Sequence, residues 1–378
     1  PGEPVEENGQ NNAGVQLSYI QPINDTLKIT TGFDGEFTDA FLKQTQQGGF
    51  GPFPKGKQYD YQVDAIVAAT FASVDYQLNK ATQFNAGARF EYLQYDYDNR
   101  MIDGNSDQNG AACSPPSGCR YSRPGDRDDS FSDLSLNAGV VHQLNDQHIL
   151  TARVARGFRA PQATELYRLQ QGQIIADIDS EKIDSLELGL RSQFEALSLS
   201  LTTFYMQKDQ VIFQDSNRQN IDSGATKHYG LEYAITWKIN QLWDIAFNGT
   251  FARHKYRKNV TQPNLVVNTQ GNDVDTAPRH MASAQLGWQA SEKSRLELEW
   301  VSMGKYYTDI SNQHRYNGHN LLNLRLRHTI NNQLSTGLRI TNLGDTDYAE
   351  RADYSGFQGD RYFVGEPRAV FADISFNF

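Results

Sequence analysis

The sequence predicts an all-β protein, a transmembrane antiparallel β-barrel. Two observations carry that prediction. Apolar and polar residues take turns along segment after segment, and tight turns alternate with long polar loops between those segments. A barrel strand needs one face for lipid and one for a wet lumen, and short turns at one end with long loops at the other are the usual barrel layout. A third observation removes the competing membrane solution: no run of about 18 apolar residues occurs, so there is no transmembrane helix. Only helices and closed barrels satisfy their backbone polar groups inside lipid.

The elements follow in order. Residues 1–12 read as a leading loop or truncated end, and a first strand near 13–21 runs down into the turn Ile23-Asn24-Asp25-Thr26. Further tight turns fall at Leu78-Asn79-Lys80-Ala81, Leu144-Asn145-Asp146-Gln147, Phe194-Glu195-Ala196-Leu197, Ile239-Asn240-Gln241-Leu242, Ala290-Ser291-Glu292-Lys293 and Ile330-Asn331-Asn332-Gln333. Asn, Asp and small residues there suit tight hairpins. The long polar loops lie at 46–60, 102–129, 159–183, 214–226, 256–279, 308–318 and 344–365.

Between turns the period is two. Leu186, Leu188 and Leu190 oppose Glu187, Gly189 and Arg191. Tyr229, Leu231, Tyr233, Ile235, Trp237 and Ile239 oppose His228, Gly230, Glu232, Ala234, Thr236 and Lys238. Leu296, Leu298 and Trp300 oppose Arg295, Glu297 and Glu299, and Leu322, Leu324 and Leu326 oppose Leu321, Asn323, Arg325 and Arg327. The last strand puts Val370, Ala372, Ile374, Phe376 and Phe378 on one face and Asp373, Ser375 and Asn377 on the other, where Phe371 interrupts the polar pattern. Period two with branched and aromatic residues means strands. A soluble sandwich would alternate too, but it has no reason to repeat the asymmetry of its connections.

About fifteen strands result over residues 13–378. The first and last then run the same way and cannot pair antiparallel, whereas bacterial single-chain barrels have even strand numbers. The expectation is a wall lacking an odd number of N-terminal strands.

Composition is compatible with this. The chain has 378 residues, 38% of them hydrophobic, and a formal net charge of -10. Barrel strands expose apolar groups only at alternate positions and average out as polar. The acidic balance argues against nucleic acid as a partner. The N-terminus has no charged-then-apolar signal pattern; since a barrel must be exported, the start of the natural chain is expected to be missing. The two cysteines, Cys113 and Cys119, are separated by five residues. That spacing fits zinc pairs poorly, with no His or Cys nearby, and reads instead as a local disulfide in an exported loop.

Specific residues then carry a resemblance. Ala155-Arg156-Gly157-Phe158-Arg159-Ala160-Pro161, with Glu165-Leu166-Tyr167 after it, resembles the Gly-Phe-Arg-Ala-Pro…Glu-Leu-Tyr element of TonB-dependent outer-membrane receptors. Leu186-Glu187-Leu188-Gly189-Leu190-Arg191 is similar to the strand that follows in that family. Asn342-Leu343-Gly344-Asp345-Thr346-Asp347-Tyr348, then Gly365-Glu366-Pro367-Arg368 and terminal Phe378, resemble its closing elements. The resemblance implies a barrel of about twenty-two strands filled by an N-terminal plug, of which this chain would be the C-terminal two-thirds. No segment here resembles the plug or the energy-coupling box. It also implies a bacterial outer-membrane location with the long loops extracellular. The implied activity is uptake of a scarce nutrient powered by the TonB complex through the plug, with a ferric siderophore as default cargo. Barrel-assembly machinery would act at Phe378. No covalent chemistry and no resident cofactor are needed, the iron chelate being cargo.

Candidate residues follow from parity and loop position. Lumen-facing, plug-contacting candidates are Arg153, Glu187, Arg191, Glu232, Glu297, Glu299, Arg325, Arg327 and Arg339; an ion-paired wet interior is the alternative reading. Arg156 and Arg159 either contact an anionic ligand or form a bend paired to loop carboxylates. Loop aromatics Tyr306, Tyr307, Tyr316, Tyr354, Phe357, Tyr362 and Phe363 suit a flat anionic chelate or an interfacial girdle. Trp237, Trp288 and Trp300 read as girdle. No His lies between Pro161 and Glu187, where haem receptors of this family carry one, so haem is demoted. His254, His280, His314 and His319 fall in or near loops and read as surface polar groups. Asp96, Asp98, Asp126, Asp128 and Asp129 read as solvated loop charge rather than a calcium site, since no EF-hand spacing occurs. A passive porin would not need the quoted motifs. A hydrolase would need a nucleophile motif such as Gly-x-Ser-x-Gly, and Ser130, Ser283 and His142 show no pairing logic.

Overall fold

The computed structural model describes residues 3–49, 52–113, 118–170, 172–214, 219–262, 265–356 and 358–376. Phe357, Asn377 and Phe378 lie outside them. Among the described residues the wall is a single fifteen-stranded sheet in which sequential strands pair antiparallel. Its strands are β1 (Pro4–Asn24), β2 (Leu27–Gln46), β3 (Gly56–Asn79), β4 (Thr82–Asn99) and β5 (Arg127–Asn145). They continue as β6 (His148–Arg159), β7 (Glu181–Gln193), β8 (Leu197–Gln214), β9 (Asn220–Lys238) and β10 (Trp243–Tyr256). The sheet ends with β11 (His280–Ser291), β12 (Ser294–Met303), β13 (His319–Thr329), β14 (Leu334–Thr341) and β15 (Ala369–Phe376). β1 and β15 each have one neighbour in the sheet.

The register turns the alternation into two continuous faces. Outward, Val154 stands across from Leu186, Leu186 from Tyr205 and Tyr205 from Tyr229. Further along, Leu286 stands across from Leu298, Leu298 from Leu324, Leu324 from Ile340 and Ile340 from Val370. Many of these side chains are exposed, Leu188 at 51% and Ile374 at 76%. Water would penalise such a band at about 25 cal/mol per Å²; hydrocarbon does not. At the short-turn end Trp243 stacks on Trp288 with centroids 5.5 Å apart, and Trp237 lies outward beside them. This is the interfacial position that indole favours.

Asparagine sets most of the short turns. The Asn24 side-chain oxygen accepts the N–H groups of Thr26 and Leu27, and Asn145 does the same for Gln147 and His148. Asn240 and Asn331 repeat the pattern, and Asn79 makes the first of the two bonds. An amide two residues back replaces the missing backbone acceptor and fixes the hairpin register. Asn145→Ala is expected to lower the unfolding free energy by about 1 kcal/mol, read from urea titration in vesicles.

Two expectations are corrected. Residues 4–12 are not a leading loop: β1 starts at Pro4 and keeps register with β2 from Pro4 opposite Gln46 onward. The Asn- and Glu-rich composition hid this strand because its upper part carries no apolar alternation. The 214–226 connection is shorter than predicted, because β8 and β9 stay paired to Gln214 opposite Asn220. A bulge at Lys208/Val211, with Gln210 at φ 56°, disturbs the period there.

Candidate functional site

The long-loop end is built on a buried aromatic core. Tyr59 and Tyr61 from β3, Tyr97 from β4 and Tyr121 from the next loop pack with Leu166, Tyr167 and Leu169. The last three come from the loop after Gly157-Phe158-Arg159, whose one turn of helix, α1 (Ala163–Tyr167), is closed at its start by the Gln162 N–H donating to the Glu165 carboxylate at 2.8 Å. Tyr97 and Tyr167 stack at 4.2 Å, and the Tyr59 hydroxyl donates to Leu169 O at 2.5 Å. Burial pushes the Tyr61 phenol up to about 12, so these rings stay neutral. The signal was present as Tyr59-Asp60-Tyr61 and Tyr95-Asp96-Tyr97, but alternation alone did not show that the tyrosines face inward.

The same loop is clamped by charge. Arg159 donates to Glu165 at 2.8 and 3.1 Å and to Glu181 at 3.1 Å. Glu181, at the start of β7, also accepts the Ile212 N–H at 2.8 Å and Lys208 at 3.3 Å. Burial opposes its charge, but the Arg159 bond, the Ile212 N–H and Lys208 outweigh it and hold its pKa below the usual value. A depressed carboxylate contributes stability above its unfolded pKa of about 4.3 and loses that contribution as pH falls through the lower folded value. The loop is therefore expected to loosen only below about pH 4, and Glu181→Gln to abolish that acid limb in a pH series of proteolytic cleavage at 160–180.

Two sequence candidates are placed differently from expectation. Arg156 shares its parity with Val154 and stands across from Leu136 and Asp184, so it points outward. There it pairs with Asp184 at 2.7 and 2.8 Å. Tyr306 is 5% exposed, and its hydroxyl accepts the Ala352 N–H at 2.8 Å, so it holds a loop hairpin together. That hairpin pairs Ala349–Ser355 with Gly359–Val364. Tyr307 lies beside Tyr306 and is half-buried. Tyr316 bonds His319 at 2.9 Å and accepts the Ala349 N–H, Tyr354 stacks on His314 at 3.6 Å, and Tyr362 is exposed.

The charged candidates on the wall gather on the inward face. Arg153 stands across from Glu187; Arg191 lies on the same face of β7. Glu232 sits between Thr202 and Thr250. Glu299 takes hydrogen bonds from Gln285 and Asn323 at 3.0 Å and Arg325 at 3.4 Å. Arg325 faces Arg339, whose guanidinium lies 4.5 Å from the Phe371 ring centre. Arg325 and Arg339 line a cavity of about 660 Å³ together with Arg295, Glu297, Arg327 and Asp373. Arg295, which bonds Asp244 at 2.8 and 2.9 Å, and the Arg89 contacts with Asp34 and Glu91 were missed. The Arg295–Asp244 and Arg89–Asp34 pairs join strands whose register only the structure supplies.

Cys113 and Cys119 are bridged, with Cα atoms 4.9 Å apart. Outward at the long-loop end, Asp39, Asp64, Asp96 and Asp128 stand in one cross-strand row. Like charges directly opposite repel, so Asp96→Asn is expected to raise stability by up to about 1 kcal/mol, read from thermal melts at low salt. Among the described residues no three His, Cys, Asp or Glu side chains converge as a metal-ligand set.

Outward apolar band, inward charged wall and asymmetric connections define the wall of a transmembrane β-barrel. Residues 6–343 match the model of the TonB dependent receptor-like β-barrel family, and the chain belongs to that family, one of outer-membrane barrels. It is 22% identical over 349 residues to the catecholate siderophore receptor Fiu of Escherichia coli, covering 85% of this chain and 43% of that one. It is 22% identical over 236 residues to the vitamin B12 transporter BtuB of Photobacterium profundum, covering 62% and 37%. Among solved structures, the ferric yersiniabactin uptake receptor FyuA of Yersinia pestis aligns with TM-score 0.73 at 19% identity, covering 99% of this chain and 55% of that one. The chain thus spans about half the length of the relatives it matches.

Proposed function

We propose that this chain is the greater part of the barrel of an outer-membrane receptor for energy-coupled uptake of a ferric siderophore. The observation that carries the reading is the family match over 6–343 joined to the inward charged wall. A family barrel of this kind surrounds a plug, and Glu232, Glu297, Glu299, Arg325, Arg327 and Arg339 offer that plug a polar, ion-pairing surface. The TonB complex would act on the plug, and the long loops would face outside the cell. Relatives named for siderophores favour an iron chelate over cobalamin. At the mouth, Tyr307, Tyr354 and Tyr362 offer rings to a flat anionic chelate, and Arg159 offers a cation once its loop opens. Arg156, turned outward, has no part in this.

Growth of an iron-starved strain without its own siderophore receptors, carrying the full-length natural protein, tests the reading. Rescue by a ferric siderophore that disappears when TonB is deleted supports it. Rescue that persists without TonB would identify a passive channel instead.

A further inference from the structure

On β7, β9 and β10 the outward apolar run gives way to cations as the strand climbs towards the long loops. Leu188 and Leu186 are followed by Asp184 and Lys182, Leu231 and Tyr229 by Lys227, and Phe251 by Arg253 and Lys255. The change falls where the membrane surface belongs. Lys227 lies eleven residues up β9 from Lys238, about 28 Å of height for a strand tilted by about 40°. A barrel's apolar band is about 25 Å tall and ends in an aromatic girdle. Just below the cations, the outward rings of Tyr205 and Tyr229 stack with centroids 6.4 Å apart.

The register brings the cations together. Lys227 stands across from Lys255, and Arg253 across from Tyr229. Like charges directly opposite repel, and the acids of this face are engaged elsewhere. Asp184 pairs with Arg156, Asp209 with Arg257 at 2.8 Å, and Asp273 with Arg279. The second oxygen of Asp273 lies 3.7 Å from Lys255, which also donates to Gly271 O at 2.9 Å. Lys182, Lys227 and Arg253 have no ion pair or hydrogen bond among the described residues. The outward rim is therefore basic on β7–β10, although the chain as a whole carries a net charge of -10 and the rim on β2–β5 carries the aspartate row.

An occupant of this patch must satisfy both levels. Its head meets unpaired cations, and its body lies against Tyr229 and Phe251, which are 38% and 52% exposed. An anionic lipid does both. The cations spread over four strands, about 15 Å at the usual strand spacing, too far for one phosphate to bridge. We propose that Lys182, Lys227 and Arg253, with Lys255 beside them, dock a lipid carrying two phosphates in its headgroup, in the leaflet on the long-loop side. This binding function is separate from uptake of an iron chelate and does not depend on the cargo.

The test is native mass spectrometry of the full-length natural protein in detergent, titrated with bis-phosphorylated lipid A and with its mono-phosphorylated and dephosphorylated forms. One lipid is expected to be retained, in the order of phosphate number. Lys227→Gln with Arg253→Gln should weaken the bis-phosphorylated form at least about tenfold, since each cation near an anionic headgroup contributes a factor of about five. Lys43→Gln with Lys305→Gln removes as much charge elsewhere on the outer end and should change nothing. Thermal melts of both double variants should match the parent, because all four side chains lie outside the buried clusters. Equal retention of the dephosphorylated form would overturn the proposal, as would unchanged binding in the Lys227 and Arg253 variant. Displacement of the lipid by an equal concentration of inorganic pyrophosphate would overturn it too, since a free anion would then suffice.

Discussion

Leu298→Arg is expected to destabilise the membrane-embedded protein by about 2–4 kcal/mol, the cost of turning a charge towards lipid. Leu298 lies in the outward band between Leu286 and Leu324, where a guanidinium has no partner and no water. One residue away, Glu299 points inward and is already hydrogen-bonded to Gln285 and Asn323. Glu299→Gln keeps the shape and most of those bonds, and is expected to cost under about 1 kcal/mol. Urea unfolding of both variants in vesicles reads the difference. Equal costs would mean that the two faces do not meet different solvents, and the barrel reading would fail with them.

Tyr97→Ala is expected to cost about 3–4 kcal/mol and to release the loop after Arg159. Tyr97 is 1% exposed, stacked on Tyr167 and packed against Tyr61. Removing it opens a hole under α1 that the surrounding strands cannot close. Protease cutting within 160–180 should rise in parallel with the loss of stability. Tyr97→Phe should behave in the opposite sense. The Tyr97 hydroxyl is buried with no hydrogen-bond partner among the described residues, so its removal is expected to be neutral or to gain about 1 kcal/mol. Tyr167→Phe, by contrast, discards a 2.8 Å bond to Asp129 and should lose stability.

Much of the wall was legible because period two is enforced by the solvent on each side. Leu186 and Leu188 share one face of β7 and Glu187 takes the other, as their spacing implies. The Asn turns were legible as well, because the amide that closes each hairpin is local. Pro4–Asn12 was not, since a strand that rises beyond lipid has no reason to alternate. The Arg156 and Arg159 pair shows the other limit. Three residues apart, the two fall on opposite faces of β6 by parity, but their partners, Asp184 for one and Glu165 and Glu181 for the other, come from other segments.

Among the described residues the mouth of the barrel is held by two separate clusters of very different size. One contains thirteen buried residues around Tyr97 and Tyr167, the other three around Tyr306. Local opening free energy follows the buried contact that must be given up. Backbone amides of 349–355 and 359–364 are therefore expected to exchange with deuterium well before those of 163–170, so that one flank of the entrance breathes while the other stays shut.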